Sequence, residues 1–496
     1  MSPVPATTGS TQPGASWIDL WSLREDTLLE EQEDGSMLLR SRWGDLRLPQ
    51  PGPVLGEALR RMRLGPVQLD NVPGTGELAA RVRLLAALRH LGGLVVRSVG
   101  APDGDHPLLS VVPTTAGARL NPQPLPPDRL LRLSRFAALR STGQGGLLES
   151  PTSAFQAVFR RPEAGWLIAS LGRPTAPAAA LERLPIGRAA GIAVLSHLVA
   201  TGMVEVAERA GPPHEAVFTE DLDPVLTPWS HHDLLFHWSS RPGWQDRQFG
   251  ATYPLVGRQD PQPALKPVPS GTRIALPRPA GDAPHGWDTP LGEVLERRHS
   301  VRRHGEQGLS LERLGELLHQ ALRVRALGGP PDERRKQQIS ARPYPSGGAC
   351  YELEFYLTVG RCTGLAPGVY YYDPLGHALV LLECPPPLRA ALLADAQAGT
   401  GMDSAPDVLL TMTARFARVS WKYSGLAYAL TLKHVGVVQQ TLYLLTTGMG
   451  LAGCALGTGN TARSAEAFAL DWREESAVGE FVLGSLPSAG PGRTDD

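Results

Sequence analysis

A lysine and a tyrosine stand side by side at Lys422-Tyr423, directly after a tryptophan. The chain has 48 Lys plus Arg, of which only four are lysines: Lys266, Lys336, Lys422 and Lys433. Arginine keeps its proton at any working pH, whereas lysine can release it when its surroundings lower its pKa. The pair is therefore a candidate for proton transfer, although a solvated loop lysine is an alternative that the pair alone leaves open.

A basic stretch is a second candidate for chemistry. A helix is predicted to open at Asp288-Thr289-Pro290, with a capping residue and an early proline, and to run to Arg302. At its end Arg298 and Arg302 flank the hydroxyl of Ser300. Guanidinium groups alternating with a hydroxyl suit a phosphate and an attached polar chain. A basic helix end that complements the helix dipole is the alternative.

A turn of small residues, Pro345-Ser346-Gly347-Gly348, lies just before the predicted strand Leu353–Val359. Glycines there would let the backbone approach a flat ligand closely and present N–H donors to it. An ordinary tight turn between two elements is the alternative.

Composition limits the classes of function. A chain of 496 residues predicts two or three domains. A formal net charge of −1 argues against DNA or an anionic membrane as the main partner. Four cysteines without a C-x-x-C spacing fit a reduced, cytoplasmic protein. The polar N-terminus predicts no signal peptide, and no apolar stretch is long enough to span a membrane.

Because His231, His232 and His237 lack the spacing of a tetrahedral site, no metal is expected.

The sequence divides into segments by composition and pattern. The predicted segments are a disordered tail at 1–15, two similar modules at 16–115 and 125–212, a connector with a Pro-rich linker at 213–285, a C-terminal domain at 286–486, and a tail at 487–496.

The sequence of each N-terminal module predicts a helix, a tight turn and a β wing. This order of elements is the pattern of a winged helix. In the second module, Phe155–Phe159 and Trp166–Ser170 are predicted strands and 188–199 a helix. The near-neutral charge opposes DNA binding, and Gly191–Val199 carries no Lys or Arg. A wing edge can instead add a peptide strand, and a purely structural role is the alternative. His90 and His197 are interpreted as core or cap residues.

The C-terminal half mixes helices and strands without strict alternation, which predicts an α+β fold with a central mixed sheet flanked by helices. A helix is predicted over 434–449, a strand over 451–456, and a glycine-rich loop after it.

These motifs together resemble the FMN-dependent azoline oxidases, the SagB-type dehydrogenases of the nitroreductase superfamily. The resemblance covers about 215–485, and the N-terminal modules resemble the winged-helix peptide-clamp domains of the longer members. The motifs that carry it are 298–302, 342–348, 421–423 and 450–457, together with 232–237, 250–253 and 263–267 of the connector.

The resemblance implies a homodimer with FMN at the subunit interface. Lys422 and Tyr423 match the catalytic pair of the family, with either Lys422 or a Tyr423 activated by it as the base. A late basic residue for the FMN phosphate has no clear match, and only Arg473 or Arg493 could serve. The cofactor contacts implied by the resemblance are Arg298, Ser300, Arg302, Pro345, Ser346, Gly347, Gly348, Gln440, Ala455, Leu456 and Gly457.

The implied reaction is oxidation of thiazoline or oxazoline rings in a ribosomally made precursor peptide. The implied partners are that peptide, its leader and the cyclodehydratase of the same pathway. Two other functions remain open at this point. One is an NAD(P)H-dependent flavin reductase of small molecules, and the other is a non-catalytic scaffold that binds peptide.

Overall fold

A computed structural model describes residues 17–102, 106–182, 184–279, 289–329 and 337–487. The chain divides into two compact units between Arg247 and Gln248, which are described separately. The predicted tail at 1–15, residues 488–496 of the predicted C-terminal tail (Arg493 included), and Asp288 lie outside the described residues. Among those residues, no helix has both the length and the apolar character needed to cross a membrane.

Unit 1, up to Arg247, contains twelve strands and seven helices among its described residues. Its strands are β1 Ile18–Leu23, β2 Leu28–Glu31, β3 Met37–Ser41, β4 Gly44–Leu48, β5 Val67–Gln68, β6 Val95–Gly100, β7 Leu109–Pro113, β8 Leu131–Leu133, β9 Ala138–Thr142, β10 Gly145–Glu149, β11 Phe155–Phe159 and β12 Val204–Val206. Its helices are α1 Gly52–Leu64, α2 Leu78–His90, α3 Pro162–Ser170, α4 Pro177–Leu181, α5 Arg188–Ala200, α6 Thr219–Leu222 and α7 His231–Ser239.

One antiparallel sheet joins the two predicted modules. Its order is β5-β1-β6-β7-β11-β10-β9, and the pairing of β7 with β11 places Pro113 opposite Phe155. In both strands alternate residues are buried, as expected for a sheet with one face against a core. The two modules are therefore parts of one compact unit, and their assignment as winged helices stays a prediction.

One strand prediction in unit 1 is wrong. Residues Trp166–Ser170 belong to helix α3, which begins at Pro162. Proline at the first helical position has a backbone angle already suited to a helix, and its missing N–H would be unsatisfied there anyway. Ala164, Leu167 and Ile168 are buried at helical spacing, which the alternating pattern assumed for a strand does not provide.

Unit 2, from Gln248, contains eleven strands and six helices among its described residues. Its strands are β13 Arg273–Ala275, β14 Leu309–Ser310, β15 Ala326–Gly328, β16 Ile339–Ala341, β17 Leu353–Val359, β18 Cys362–Thr363, β19 Gly368–Asp373, β20 Ala378–Leu382, β21 Val408–Arg415, β22 Leu451–Leu456 and β23 Glu475–Ser485. Its helices are α8 Leu291–Arg297, α9 Leu311–Leu322, α10 Pro386–Thr400, α11 Phe416–Ser420, α12 Ala427–Gly448 and α13 Thr461–Phe468.

The central sheet of unit 2 has the order β13-β20-β19-β17-β21-β23-β22. Every residue of β17 and β21 is buried, because α9 and α12 cover one face and α10 and α13 cover the other. Helices on both sides of a central sheet confirm the α+β class. The Pro-rich linker contributes β13 to the edge of this sheet, so it is more than a connector.

Two details of the C-terminal prediction are corrected. The sheet is antiparallel in all six pairings of the described strands, not mixed. Hydrophobic runs predict that strands exist but not the direction in which distant strands meet. In addition, α8 ends at Arg297, because Arg298 takes an extended backbone conformation (φ −61°, ψ 119°). The stretch 298–302 is therefore a loop and not a helix end.

Candidate functional site

The stretch that carries Lys422 is anchored by a buried arginine. Helix α11 follows strand β21, and its Arg418 is fully buried. Its guanidinium donates to the backbone oxygens of Cys350 (3.0 and 2.7 Å), Gln262 (2.8 Å) and Gln338 (2.9 Å). Hydrogen bonds from a charged donor are among the stronger ones in proteins. Arg418 thus holds the end of the small-residue turn against α11.

Contacts on both sides fix the position of Lys422-Tyr423. The buried Trp421 donates its indole N–H to the carbonyl of Gln259 at 2.8 Å. The backbone oxygen of Lys422 accepts from the N–H of Tyr253 at 3.1 Å. Immediately afterwards, Ser424 pairs with Gly250 as an antiparallel bridge. Part of the connector therefore positions the predicted catalytic pair.

The small-residue turn meets this pair at Gly348. The ammonium of Lys422 donates to the carbonyl of Gly348 at 3.2 Å. A Cβ added to Gly348 would lie 2.5 Å from both Lys422 Nζ and Tyr423 Oη, and the φ of this glycine is +61°. Only glycine fits this backbone conformation and this close approach. The structure thus brings together two motifs that lie 74 residues apart in sequence.

Partial burial affects the tyrosine of this pair. It raises the pKa of the Tyr423 phenol above its ordinary value. A phenol with a raised pKa stays protonated near neutral pH, so Tyr423 is a hydrogen-bond donor there. This favours Tyr423 as a hydrogen-bond donor over Tyr423 as an activated base.

A buried histidine, missed by the sequence analysis, supports the turn. His434 of α12 accepts the backbone N–H of Gly347 at Nε2, with a distance of 2.7 Å. Because Nε2 accepts, Nδ1 carries the proton and donates to Glu352 Oε1, also at 2.7 Å. Both side chains are almost completely buried. The signal in the sequence was Glu352 and Glu354 at the start of an apolar strand, since buried carboxylates require partners.

A second cluster forms around Tyr443 of α12, which the sequence analysis also missed. Its hydroxyl lies 2.8 Å from Ser300 Oγ and accepts the N–H of Ala455 at 2.8 Å. The guanidinium of Arg298 lies 5.2 Å from the centre of the Tyr443 ring, within cation–π range. Three of the predicted cofactor contacts therefore gather at one tyrosine.

The other predicted residues are less closely tied to these clusters. Gly457 and Arg302 are exposed, and Leu456 is buried in β22. Gln440 is exposed on α12, and no side-chain hydrogen bond from it to either cluster is found within the described ranges. Pro345 is exposed at the turn, whereas Ser346 Oγ accepts the N–H of Tyr351 at 3.0 Å.

The basic residues considered for an anionic group differ in their pairing. Arg298 and Arg302 have no acidic partner within the part of the chain that the structure describes. Arg473 is paired with Asp471 on the surface, at 2.5 Å. Arg298 and Arg302 are therefore better placed than Arg473 to bind an external anion.

Helix α12 carries one residue of each cluster and so sets the distance between them. His434 and Tyr443 are nine residues apart, which corresponds to about 13 Å along a helix with a rise of 1.5 Å per residue. One cluster presents an amine, a phenol and a glycine turn, and the other presents the guanidinium of Arg298, which has no acidic partner among the described residues. An elongated ligand with a flat polar end and an anionic end would match this arrangement.

A buried carboxyl lies behind the loop that follows β22. Glu480 lines a small cavity with Thr411 and Gly459, and burial raises the pKa of its carboxyl to about 7. A carboxyl of this kind is protonated in the folded state at pH 5 but charged in the unfolded chain. The folded state then binds more protons, so stability falls as the pH rises from about 4.5 to about 7.

Replacing Glu480 by glutamine should remove this pH dependence. We expect the native protein to lose up to about 3 kcal/mol more free energy of unfolding than Glu480→Gln between pH 5 and pH 8. Urea unfolding of both proteins at the two pH values measures this difference. Parallel pH profiles would contradict a buried, protonated Glu480.

Two family models match the chain. The model of the cyanobactin oxidase ThcOx matches residues 131–246, and that of the nitroreductase family matches 295–485. The first match begins inside the second predicted module, so similarity to oxidase families starts earlier than the 215–485 predicted from motifs.

The chain is also similar to individual proteins and solved structures. A Methanocaldococcus jannaschii protein named as a putative nitroreductase is 33% identical over 168 residues, which is 34% of this chain and 78% of that protein. A similar solved structure is that of a Ralstonia eutropha protein, also named as a putative nitroreductase (24% identity, 46% of this chain and 99% of that chain, TM-score 0.33). Another belongs to the E. coli microcin synthetase McbBCD complex with truncated pro-MccB17 bound (24% identity, 43% of this chain and 78% of that chain, TM-score 0.32).

Proposed function

Because the chain belongs to the nitroreductase family, we propose that it is an FMN-dependent dehydrogenase that oxidises thiazoline or oxazoline rings of a ribosomally made peptide to thiazoles or oxazoles. The match of residues 131–246 to a cyanobactin oxidase model supports an oxidase of this kind. The observation that carries the proposal is the convergence of Lys422 and Tyr423 on Gly348.

The residues present fit FMN. Gly348 provides a side-chain-free surface beside an amine and a phenol, which suits the edge of a flat polar ring. Arg298 and Arg302 are cations without an acidic partner in the described part of the chain, which suits a phosphate. Ser300 and the loop at Ala455–Gly457 would lie between these two ends. When bound, FMN supplies the acceptor for the hydride equivalent, and oxygen is its reoxidant.

Lys422 takes the proton in this proposal. Conversion of an azoline to an azole removes a proton from the Cα atom and a hydride from the neighbouring ring carbon. Lys422 Nζ accepts the Cα proton, which requires it within about 2.6–3.2 Å of the reacting group or one water away. Tyr423 donates its hydroxyl hydrogen to the ring heteroatom or the adjacent carbonyl and so orients the substrate.

The proposed enzyme is a homodimer that works with a cyclodehydratase. Tyr428, Leu432, Gly436 and Gln440 recur every four residues along α12, and all four are exposed. A row spaced in this way is the kind of ridge that packs into another helix. A second subunit on this row would bring Gln440 next to the cofactor, as the family resemblance implies. The azoline substrate is supplied by the cyclodehydratase, and unit 1 binds the precursor peptide and its leader.

Two measurements test the proposal. The purified protein should be yellow and release about one FMN per chain on heating. It should then convert a synthetic thiazoline peptide to the thiazole, seen by mass spectrometry as the loss of two hydrogens. A colourless protein that added FMN does not change would favour a scaffold. Steady NADPH consumption without peptide would favour an NAD(P)H-dependent flavin reductase of small molecules.

A further inference from the structure

Unit 1 contains a cavity of about 860 Å³ between α5 on one side and α2, β6 and the loop at 120–124 on the other. Ligand sites in proteins commonly have volumes of about 300–1,000 Å³. The loop is tied to α5 because Ser196 Oγ donates to the carbonyl of Gln123 at 2.6 Å. The walls of the cavity are therefore connected to each other.

A buried histidine in the wall has an unused acceptor. His197 is 2% exposed and lines the cavity. Its Nδ1 lies 2.7 Å from the carbonyl of Ala193, so Nδ1 carries the proton and donates. Burial lowers the pKa of His197 to about 4, and the neutral ring then has an acceptor at Nε2. No partner for this buried nitrogen is found in the described part of the chain. Such an atom is costly unless a ligand or water donates to it.

The charged residues of the cavity are all basic. Arg89 and Arg188 are exposed at its rim, and neither has an acidic partner within the described ranges. Arg97 also lines the cavity but pairs with Asp19 at 2.9 Å, so its charge is offset. No Asp or Glu is among the lining residues. The cavity therefore favours carboxylates or other anions at its rim.

The remaining wall is mainly apolar. Trp17, Leu120, Pro122 and Ile192 line it, and the indole of Trp17 lies edge-on to His197 with the ring centres 6.3 Å apart. Half-buried aromatic and aliphatic surfaces of this kind bind apolar side chains. A ligand that uses every part of the cavity combines carboxylates, an N–H donor and apolar groups.

We propose that this cavity docks an acidic segment of a peptide, with its carboxylates on Arg89 and Arg188, a backbone N–H on His197 Nε2, and an apolar side chain against Trp17. A peptide supplies all three kinds of group in one extended chain. The inference rests on the proposed function, in which unit 1 binds the precursor peptide, and it assigns the place and the charge of the segment that binds.

The test uses the full-length protein and a labelled probe. The probe is a short fluorescein-labelled peptide in which glutamates alternate with leucines and phenylalanines, and its binding is followed by fluorescence anisotropy. Arg89→Glu together with Arg188→Glu should weaken binding about tenfold or more, because both contacts become repulsive. Ala189→Trp, at the exposed rim of α5, should also weaken binding by filling the cavity without a change of charge.

Matched variants control for net charge. Arg83 and Arg209 are exposed, outside the cavity, and without an acidic partner among the described residues. Arg83→Glu together with Arg209→Glu should leave the affinity within about twofold of the native value. Equal weakening by both pairs of substitutions would overturn the proposal. So would equal binding of a probe in which lysine replaces glutamate, or full displacement of the probe by inorganic phosphate or by single-stranded DNA.

A separate readout distinguishes this inference from the proposed function. The FMN released on heating is measured on the same preparations and reports on unit 2. An FMN-loaded protein that does not bind the acidic probe overturns the docking site alone. A protein that binds the probe through Arg89 and Arg188 but holds no FMN overturns the proposed function and leaves the docking site in place.

Discussion

Replacing Lys422 by alanine should leave a yellow, FMN-loaded protein that forms azoles at least about a hundredfold more slowly than the native enzyme. The expectation follows from the position of Lys422 Nζ, which lies 3.2 Å from the carbonyl of Gly348 and next to the phenol of Tyr423. An alanine removes the proposed proton acceptor but fits the same backbone. Single-turnover conversion of a thiazoline peptide, followed by mass spectrometry, measures the rate.

Two further variants separate proton transfer from charge. Lys422→Arg keeps the positive charge but cannot give up its proton, so it should be about as slow as Lys422→Ala. Lys433→Ala removes an exposed lysine of α12 and should keep close to the native rate. Native-like activity of Lys422→Arg would show that only the charge matters. Loss of FMN from Lys422→Ala would make Lys422 a structural residue.

The sequence predicted short motifs as the functional residues. The pairing of strands in the central sheet of unit 2 explains why two of these motifs lie next to each other. Lys422 and Gly348 were singled out from residue type alone, one as a rare lysine and one as part of a small-residue turn. Their contact across 74 positions could not be read from either motif, because it depends on how β17 and β21 pair. The sheet places the beginning of one strand next to the end of the other.

The residues that the sequence analysis missed act through other residues. His434 holds the N–H of Gly347, and Tyr443 holds Ser300 and the N–H of Ala455. The sequence pattern around a histidine or a tyrosine in an apolar helix is the same whether the side chain packs in the core or hydrogen-bonds to residues of a functional site. Their roles become visible only when the partner atoms have positions. Glu352 and Glu354, at the beginning of β17, were the one local signal that a buried carboxylate needs a hydrogen-bond partner.

Local sequence patterns also predicted the wrong secondary structure for two stretches. The pattern at Trp166–Ser170 predicts a strand, although Pro162 provides a typical helix start. The pattern at 298–302 predicts the end of a helix, although the backbone N–H of Val301 donates to the carbonyl of Gly453 in β22 at 3.0 Å. A hydrogen bond to a distant strand overrides the helical preference of the preceding residues. Local sequence patterns do not contain that information.

Replacing Gly348 by alanine should reduce azole formation by about a hundredfold or more while the protein remains folded. A Cβ at this position would lie 2.5 Å from Lys422 Nζ and from Tyr423 Oη, so at least one of the two must move away. Displacement of a catalytic group by about 1 Å can cost about a hundredfold in rate. The positive φ of +61° adds strain of about 1 kcal/mol. The rate with a thiazoline peptide and the free energy of unfolding in urea are measured together.

Gly401→Ala is the matched control for this substitution. Gly401 ends α10 with a similar φ of +72°, but an added Cβ there would have no atom within 4 Å. Both variants should therefore lose a similar stability, about 1 kcal/mol, whereas only Gly348→Ala should lose activity. Equal activity of the two variants would contradict the close approach of the turn to Lys422 and Tyr423. Loss of activity in both would trace the effect to destabilised backbone, because strain is the one property that the two sites share.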